Sequence, residues 1–131
     1  MNAPTFEQVR PDITSVLSNA GMETTEYIGE TLKPPCACVI PGQPYLEWRP
    51  PSREIPFGHF VTRIDVLLVS HREASKKSAK LIEGMIRTAV TALHQDYDIR
   101  RVSQPGVVKP NGDVKFIGAV VTIEERVKEP D

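Results

Sequence analysis

The sequence has no long hydrophobic run, few cysteines and no excess of charge of one sign. No apolar stretch approaches the ~18 residues that a membrane span needs, so we expect no membrane-spanning segment. The first residues do not place a basic segment before an apolar one, so we expect no signal peptide. Two cysteines in 131 residues are too few for the disulfide framework of a secreted domain. These absences predict a protein of a reducing cytosol.

The charges of the chain are balanced. Sixteen Lys and Arg stand against 17 Asp and Glu, so the net charge is -1. This balance gives the whole chain no electrostatic reason to bind nucleic acid or an anionic membrane. A hydrophobic content of 40% is too high for a disordered chain. The length is typical of one domain, so we predict a single domain over residues 1–131 without membrane or specific nucleic-acid binding.

The sequence also lacks the motifs of common catalytic and metal sites. No glycine-rich phosphate loop and no nucleophile motif occurs. His59, His71 and His94 are too widely spaced to form a His-x3-His pair. Cys36 and Cys38 would share one face of a strand, but the usual zinc spacing is Cys-x2-Cys and two further ligands would be needed. We therefore predict buried structural thiols, no metal, no cofactor and no catalytic residue, and thus a protein that is not an enzyme.

Apolar residues near the start of the chain predict an amphipathic helix. Over residues 5–20 they recur at spacings of three and four, which places them on one face. Gly21 follows as a C-terminal cap, and Thr5 with Gln8 is typical of a capping box. Pro11 lies inside this pattern, so we expect either a kink there or a helix that begins at that residue.

A second, longer helix is predicted in the middle of the chain. Ser70 and Glu73 have the spacing of a capping box, and an apolar stripe continues to about His94. Gly84 lies within this helix, where glycine lowers helix stability by roughly 1 kcal/mol relative to alanine. We expect it to be there because the helix packs closely against the sheet or the first helix.

Prolines determine the structure between the two helices. Seven of the twelve prolines fall within residues 34–56, which excludes a helix. Short strands are predicted around residues 25–32, 36–40 and 45–48, each bounded by proline or glycine. A polar loop over residues 50–58 follows them.

The remaining strands are longer and more regular. Residues 59–69 alternate so that one face is apolar, while the other face is polar at its beginning and apolar at its end. Arms over residues 98–109 and 114–127 flank Asn111-Gly112, a strong hairpin signal, and Pro105-Gly106 indicates a bulge or bend in the first arm. The whole order predicts an α+β fold: an antiparallel or mixed sheet of about four to five strands, with two helices on one face.

Several residues outside the predicted core offer contact surfaces. Trp48 fits a core position and an interface position equally well. The basic residues of the second helix are interpreted as a solvated face, a nucleic-acid face or a partner contact. Arg63 can pair with Asp65, pair across strands with Glu124, or contact a partner. The candidate interface residues are Trp48, Arg53, Ile55, Phe57, Arg63, Asp65, Lys76, Lys77, Lys80, Glu124 and Glu125, with Glu129 at the acidic end.

The order of elements resembles that of a known family. An amphipathic helix ends in Asn19-Ala-Gly21, and proline-broken strands and a polar loop follow. Gly58-His-Phe-Val-Thr-Arg-Ile-Asp-Val-Leu-Leu-Val-Ser70 then runs directly into a long helix. A hairpin ending in Gly118-Ala-Val-Val-Thr-Ile-Glu-Glu-Arg-Val127 closes the chain. Over nearly its whole length the chain resembles the tail terminator proteins, also called tail-completion or minor tail proteins, of long-tailed bacteriophages.

The resemblance implies a structural virion protein at the head-proximal end of the phage tail. Such proteins form a ring, typically of six copies, on the tail tube protein, stop tube polymerisation and join the head-completion or neck protein. The chain would be in the host cytoplasm during assembly, and residues 50–58 would take the place of a loop that becomes ordered in the ring. Two other classes stay open: a different neck or tail component, such as a stopper or tube subunit, and a small ligand-binding domain or enzyme of the host.

Overall fold

The chain forms a mixed sheet with two helices. A computed structural model describes residues 3–26, 32–71, 75–110, 112 and 114–128. The elements are α1 (Phe6–Asn19), β1 (Thr24–Thr25), β2 (Cys36–Arg49), β3 (His59–Val69), α2 (Lys76–Leu93), β4 (Asp98–Val102), β5 (Gly106–Val108) and β6 (Phe116–Val127). The strand order is β1-β2-β3-β6-β4, and β5 also pairs with β6. Pairing is antiparallel except between β1 and β2. The predicted α+β class is confirmed.

The sheet has six strands rather than the predicted four to five. One additional strand arises because a bulge divides the first arm of the predicted hairpin into β4 and β5. Three residues between Val102 and Gly106 stand opposite two residues of β6. Ser103 lies in this bulge and exchanges two hydrogen bonds of 2.8 Å with the backbone of Val120. The bulge expected near Pro105 is therefore confirmed.

The predicted strands 36–40 and 45–48 are parts of one strand, β2. Its pairing with β3 changes register between Pro41 and Leu46, so the chain stays extended through a local irregularity. Prolines are tolerated there because no strand among the described residues pairs with the outer edge of β2 beyond Cys38. The prediction of two separate strands was therefore wrong, because one strand continues through the irregularity.

The first helix, Phe6–Asn19, lies within one residue of its predicted boundaries. The backbone N–H of Thr5 donates to Oε1 of Gln8 at 3.2 Å, which is one half of the expected capping box. Pro11 lies inside the helix, and Gly21, with a φ of 92°, follows the end of the helix. The side chains that α1 buries in the core are Val9, Ile13 and Leu17.

The second helix begins later than predicted. Its cap is Ser75, whose Oγ accepts from the N–H of Ser78 at 3.1 Å while the Ser75 N–H donates to Oγ of Ser78 at 2.9 Å. The predicted cap was wrong, because the hydroxyl of Ser70 donates to the carbonyl of Ile117 at 2.9 Å and extends the sheet. Glu73, the other half of that predicted box, lies outside the described residues. Neither helix of the described chain is long and apolar enough to cross a membrane.

Gly84 is not at a packing contact. It is exposed, and a Cβ atom added there would meet no atom within 4 Å. The expectation of close helix packing at this residue was therefore wrong. The side chains through which α2 enters the core are Ser78, Ile82, Met85, Ala89 and Leu93.

The two faces of the sheet differ in their cover. Both helices pack on the inner face, where the residues from β3 are Ile64, Val66 and Leu68. On the outer face, Leu67 and Val69 belong to a second, smaller apolar cluster with Cys36 and Cys38. Arg63 precedes them on the same face and lies among polar groups. The predicted change from polar to apolar along this face is confirmed.

Candidate functional site

A buried glutamate on the outer face connects four strands. Glu124 of β6 is 9% exposed, and its Oε1 lies 2.5 Å from Nη2 of Arg63, directly opposite it on β3. Nη2 of Arg49, at the end of β2, lies 3.0 Å from the same oxygen. Nε of Arg100, on β4, lies 3.4 Å from Oε2. We call these four residues the arginine cluster.

The arginine cluster stabilises the ionised form of its carboxylate. Burial acts to raise the pKa of Glu124, but the hydrogen bond from Arg63 and the nearby charges of Arg49 and Arg100 lower it more strongly. The net result is a pKa below the usual glutamate value. Glu47 also contacts Nε of Arg49 at 2.6 Å and raises the pKa of that guanidinium. The cluster can therefore connect β2, β3, β4 and β6 through ion pairs and place charged groups on the outer face of the sheet. Its glutamate is a poor proton acceptor near neutral pH.

The cross-strand pair of Arg63 and Glu124 is one of the predicted alternatives, and the structure confirms it. Arg63 also donates from Nη1 to the carbonyl of Gln43 at 2.6 Å, and Asp65 accepts from the hydroxyl of Thr122 at 3.2 Å. The contributions of Arg49 and Arg100 were not predicted. Arg49 and Arg100 reach Glu124 because β2, β3, β6 and β4 are neighbours in the sheet. No local sequence pattern predicts that strand order.

The loop of residues 50–58, which we call the tip loop, carries the most exposed large apolar side chain of the described residues. Phe57 is 90% exposed. The N–H of Ser52 donates to the carbonyl of Ile55 at 2.9 Å, and the N–H of Gly58 donates to the same carbonyl at 3.2 Å. Ile55 is half-buried, so it anchors these turns while Phe57 points into solvent.

Trp48 lies beside the tip loop and is partly packed and partly exposed, so its predicted interface role stays a prediction. Its ring packs edge-on against Phe60, with centroids 5.1 Å apart and planes at 63°. It also covers Gly58, where a Cβ atom would collide with the indole. Nevertheless 45% of Trp48 is exposed, and Arg53 of the tip loop is exposed as well. Trp48 therefore packs against the tip loop at Gly58, while part of its side chain stays exposed to solvent.

The predicted acidic patch is not a single surface. Glu124 and Glu125 are adjacent on a strand, so their side chains lie on opposite faces of the sheet. Burial raises the pKa of Glu125, and its Oε1 accepts from the N–H of Asp98 at 2.9 Å. Glu129 lies outside the described residues. The predicted basic residues of α2 are all exposed: Lys76, Lys77 and Lys80.

The two cysteines are buried and free, as expected for structural thiols. A hydrogen bond between them lowers the pKa of Cys36, and that bond together with burial raises the pKa of Cys38. Within the described ranges, no three or more His, Cys, Asp or Glu residues are grouped as metal ligands. Nδ1 of His59 is buried without a hydrogen-bond partner. The His59 residue, together with Arg49 and Arg100, lines a cavity of about 420 Å³.

The geometry thus consists of a polar sheet face held by the arginine cluster and a loop that exposes an aromatic ring. Such features are typical of contact surfaces rather than of enclosed ligand sites. No protein-family model matches the chain, and no curated protein has a matching sequence.

Proposed function

We propose that this protein is a structural component of a phage tail, which caps the head-proximal end of the tail tube, stops tube growth and forms the joint to the head-completion or neck protein. The order of its elements resembles that of the terminator family. The observation that carries the proposal is Phe57, held nine-tenths exposed at the end of the longest hairpin. Covering a large apolar side chain in that position with a partner removes it from water, which lowers the free energy and favours binding.

A terminator needs two different surfaces, because it must bind the tube without offering the tube's own growth surface. A closed ring of heterologous contacts has this property, since every copy points the same way and the two ring faces differ. Six copies are expected from the resemblance. The arginine cluster and the exposed lysines of α2 supply charged contacts, which are individually weak. The free chain is therefore expected to be monomeric, and the tube end would gather the copies into a ring.

The experiment is a tail assembly reaction that lacks this protein. We expect tails that are abnormally long or that fail to join heads, and addition of the purified chain should restore a uniform length. As a matched pair, the Phe57→Ala chain should restore length poorly and the Val107→Ala chain should restore it fully, since Val107 is the other strongly exposed apolar residue described.

Three outcomes separate the candidate functions. Long tails without the protein support a terminator. Tails of normal length that remain separate from heads indicate a stopper instead. Normal tails joined to heads would contradict a role in the tail altogether, whatever oligomer the purified chain forms.

A further inference from the structure

An apolar groove lies between the end of α1, the start of β2 and α2. Two neighbouring cavities, of about 310 Å³ and 330 Å³, share four lining residues, and we call the two together the groove. Those four residues are Gly21, Met22, Leu81 and Met85. Gly84 lines the second of these cavities, and a Cβ atom added there would meet no atom within 4 Å.

The groove suits an inserted apolar side chain. Two of its lining residues are methionines, whose flexible thioethers adapt to aromatic partners. Its rim is charged: Lys33 and Lys80 are exposed on it, and so is Glu23. The groove therefore combines an adaptable apolar floor with charges of both signs at its border.

The tip loop matches the groove in chemistry. Phe57 supplies an exposed aromatic ring, and Pro56 precedes it. Arg53 and Glu54 are exposed on the same loop, so each charge has a counterpart of opposite sign on the groove rim. Burying a phenylalanine with complementary charges around it is a frequent arrangement at protein interfaces.

The loop and the groove of one chain cannot meet. The groove is lined by Pro34, Pro35 and Cys36 at the start of β2, and the tip loop begins where β2 ends. The two ends of β2, Cys36 and Arg49, pair with Val69 and His59, which lie ten residues apart on β3, so they are separated by about 33 Å. A protrusion and a recess at opposite ends of a subunit produce head-to-tail contacts between copies.

We infer that Phe57 of one copy of this chain inserts into the Met22–Leu81–Met85 groove of a second copy. This contact is heterologous, so it closes into a ring when the rotation per subunit permits. The inference deepens the proposed function, because it names the two patches that would build the ring on the tube.

The test places a photo-reactive aromatic residue at the protrusion. Phe57→p-benzoylphenylalanine keeps an aromatic ring there, and the chain is mixed with an isotopically labelled copy so that adducts between copies are recognised by mass. Irradiation over a concentration series that extends above the range in which the chain is monomeric should join position 57 to Met22, Leu81 or Met85 of the other copy. The matched control carries the same group at Val107, which is 62% exposed on β5.

Filling the groove should strongly reduce the adduct yield without damaging the fold. Gly84→Leu adds a side chain at an exposed helical position with open space, so the variant should fold while adduct yield falls at least about tenfold. Gly84→Ala, which fills little of the groove, should keep most of the adduct. Adducts from position 57 that are no more frequent than those from position 107, or that map away from the groove, would overturn the inference.

The adduct and the tail assay can fail separately. If the adduct forms between copies but the chain does not restore tail length, the contact stands and the tail function is wrong. If Phe57→Ala restores tail length as well as the unmodified chain does, the tail function stands and the proposed contact is wrong.

Discussion

At the scale of single residues, the Glu124 side chain joins strands that are distant in sequence. Glu124→Gln should lower the free energy of unfolding by about 1–3 kcal/mol, because Arg49 and Arg63 lose their shared charged partner. Glu47→Gln is the matched control. Its side chain is 39% exposed and contacts Arg49 alone, so a loss below about 1 kcal/mol is expected. Urea denaturation measures both values. Equal losses would contradict the inference that Glu124 stabilises the fold more than Glu47 does.

The pH dependence of stability should separate the two neighbouring glutamates. The folded pKa of Glu124 is lowered, so its contribution is fully present above the unfolded pKa of about 4.3 and is lost as pH falls through the folded value. The folded pKa of Glu125 is raised, so its ionisation opposes folding above that folded pKa, and acidification relieves the cost.

Urea denaturation between about pH 3 and about pH 7 measures these opposite slopes. Glu124→Gln should flatten the fall in stability at low pH. Glu125→Gln should steepen it, and at neutral pH this variant should be at least as stable as the unmodified chain, since glutamine can still accept from the N–H of Asp98. The same change of slope in both variants would contradict the assignment.

At the scale of elements, two glycines in regular structure have opposite surroundings. Gly84→Ala in α2 should raise the free energy of unfolding by about 0.5–1 kcal/mol, because the added methyl group meets open space and alanine favours the helix. Gly118→Ala in β6 should lower it by roughly 1–3 kcal/mol. Its Cβ atom would collide with the carbonyl of Leu68 and lie 2.7 Å from Cγ2 of Val108.

Thermal and urea unfolding of these two variants provide the comparison. A loss of stability in Gly84→Ala would mean that this face of α2 is covered in the isolated chain. If the free energy of unfolding of the Gly118→Ala variant is unchanged, β3 and β6 can move apart at little cost.

At the scale of the whole molecule, the tip loop should respond to assembly. The backbone hydrogen bonds described for it join Ser52, Ile55 and Gly58 to one another, so local opening breaks few contacts. Its amides should exchange rapidly with solvent in the isolated chain and slowly in an assembly. Amides at the centre of β3, such as Val66, should be protected in both states and serve as the control. Strong, equal protection of the loop in both states would show that it belongs to the core.

Residue patterns predicted most of the elements, because the periods of helices and strands are local properties of the chain. The Thr5–Gln8 cap, the alternating faces of β3 and the bulge near Pro105 all follow from neighbours within a few residues. The same local logic placed the cap of α2 at Ser70. It failed there because Ser70 instead bonds to Ile117, 47 residues away in the chain.

By itself, the sequence determined the fold class, the two amphipathic helices and the buried state of Cys36 and Cys38. Only the tertiary structure decided that Arg49 and Arg100 meet the same glutamate, and that the groove lies at the opposite end of β2 from Phe57. The physical reason is that strand order and register set these distances, and both depend on the packing of segments far apart in the chain.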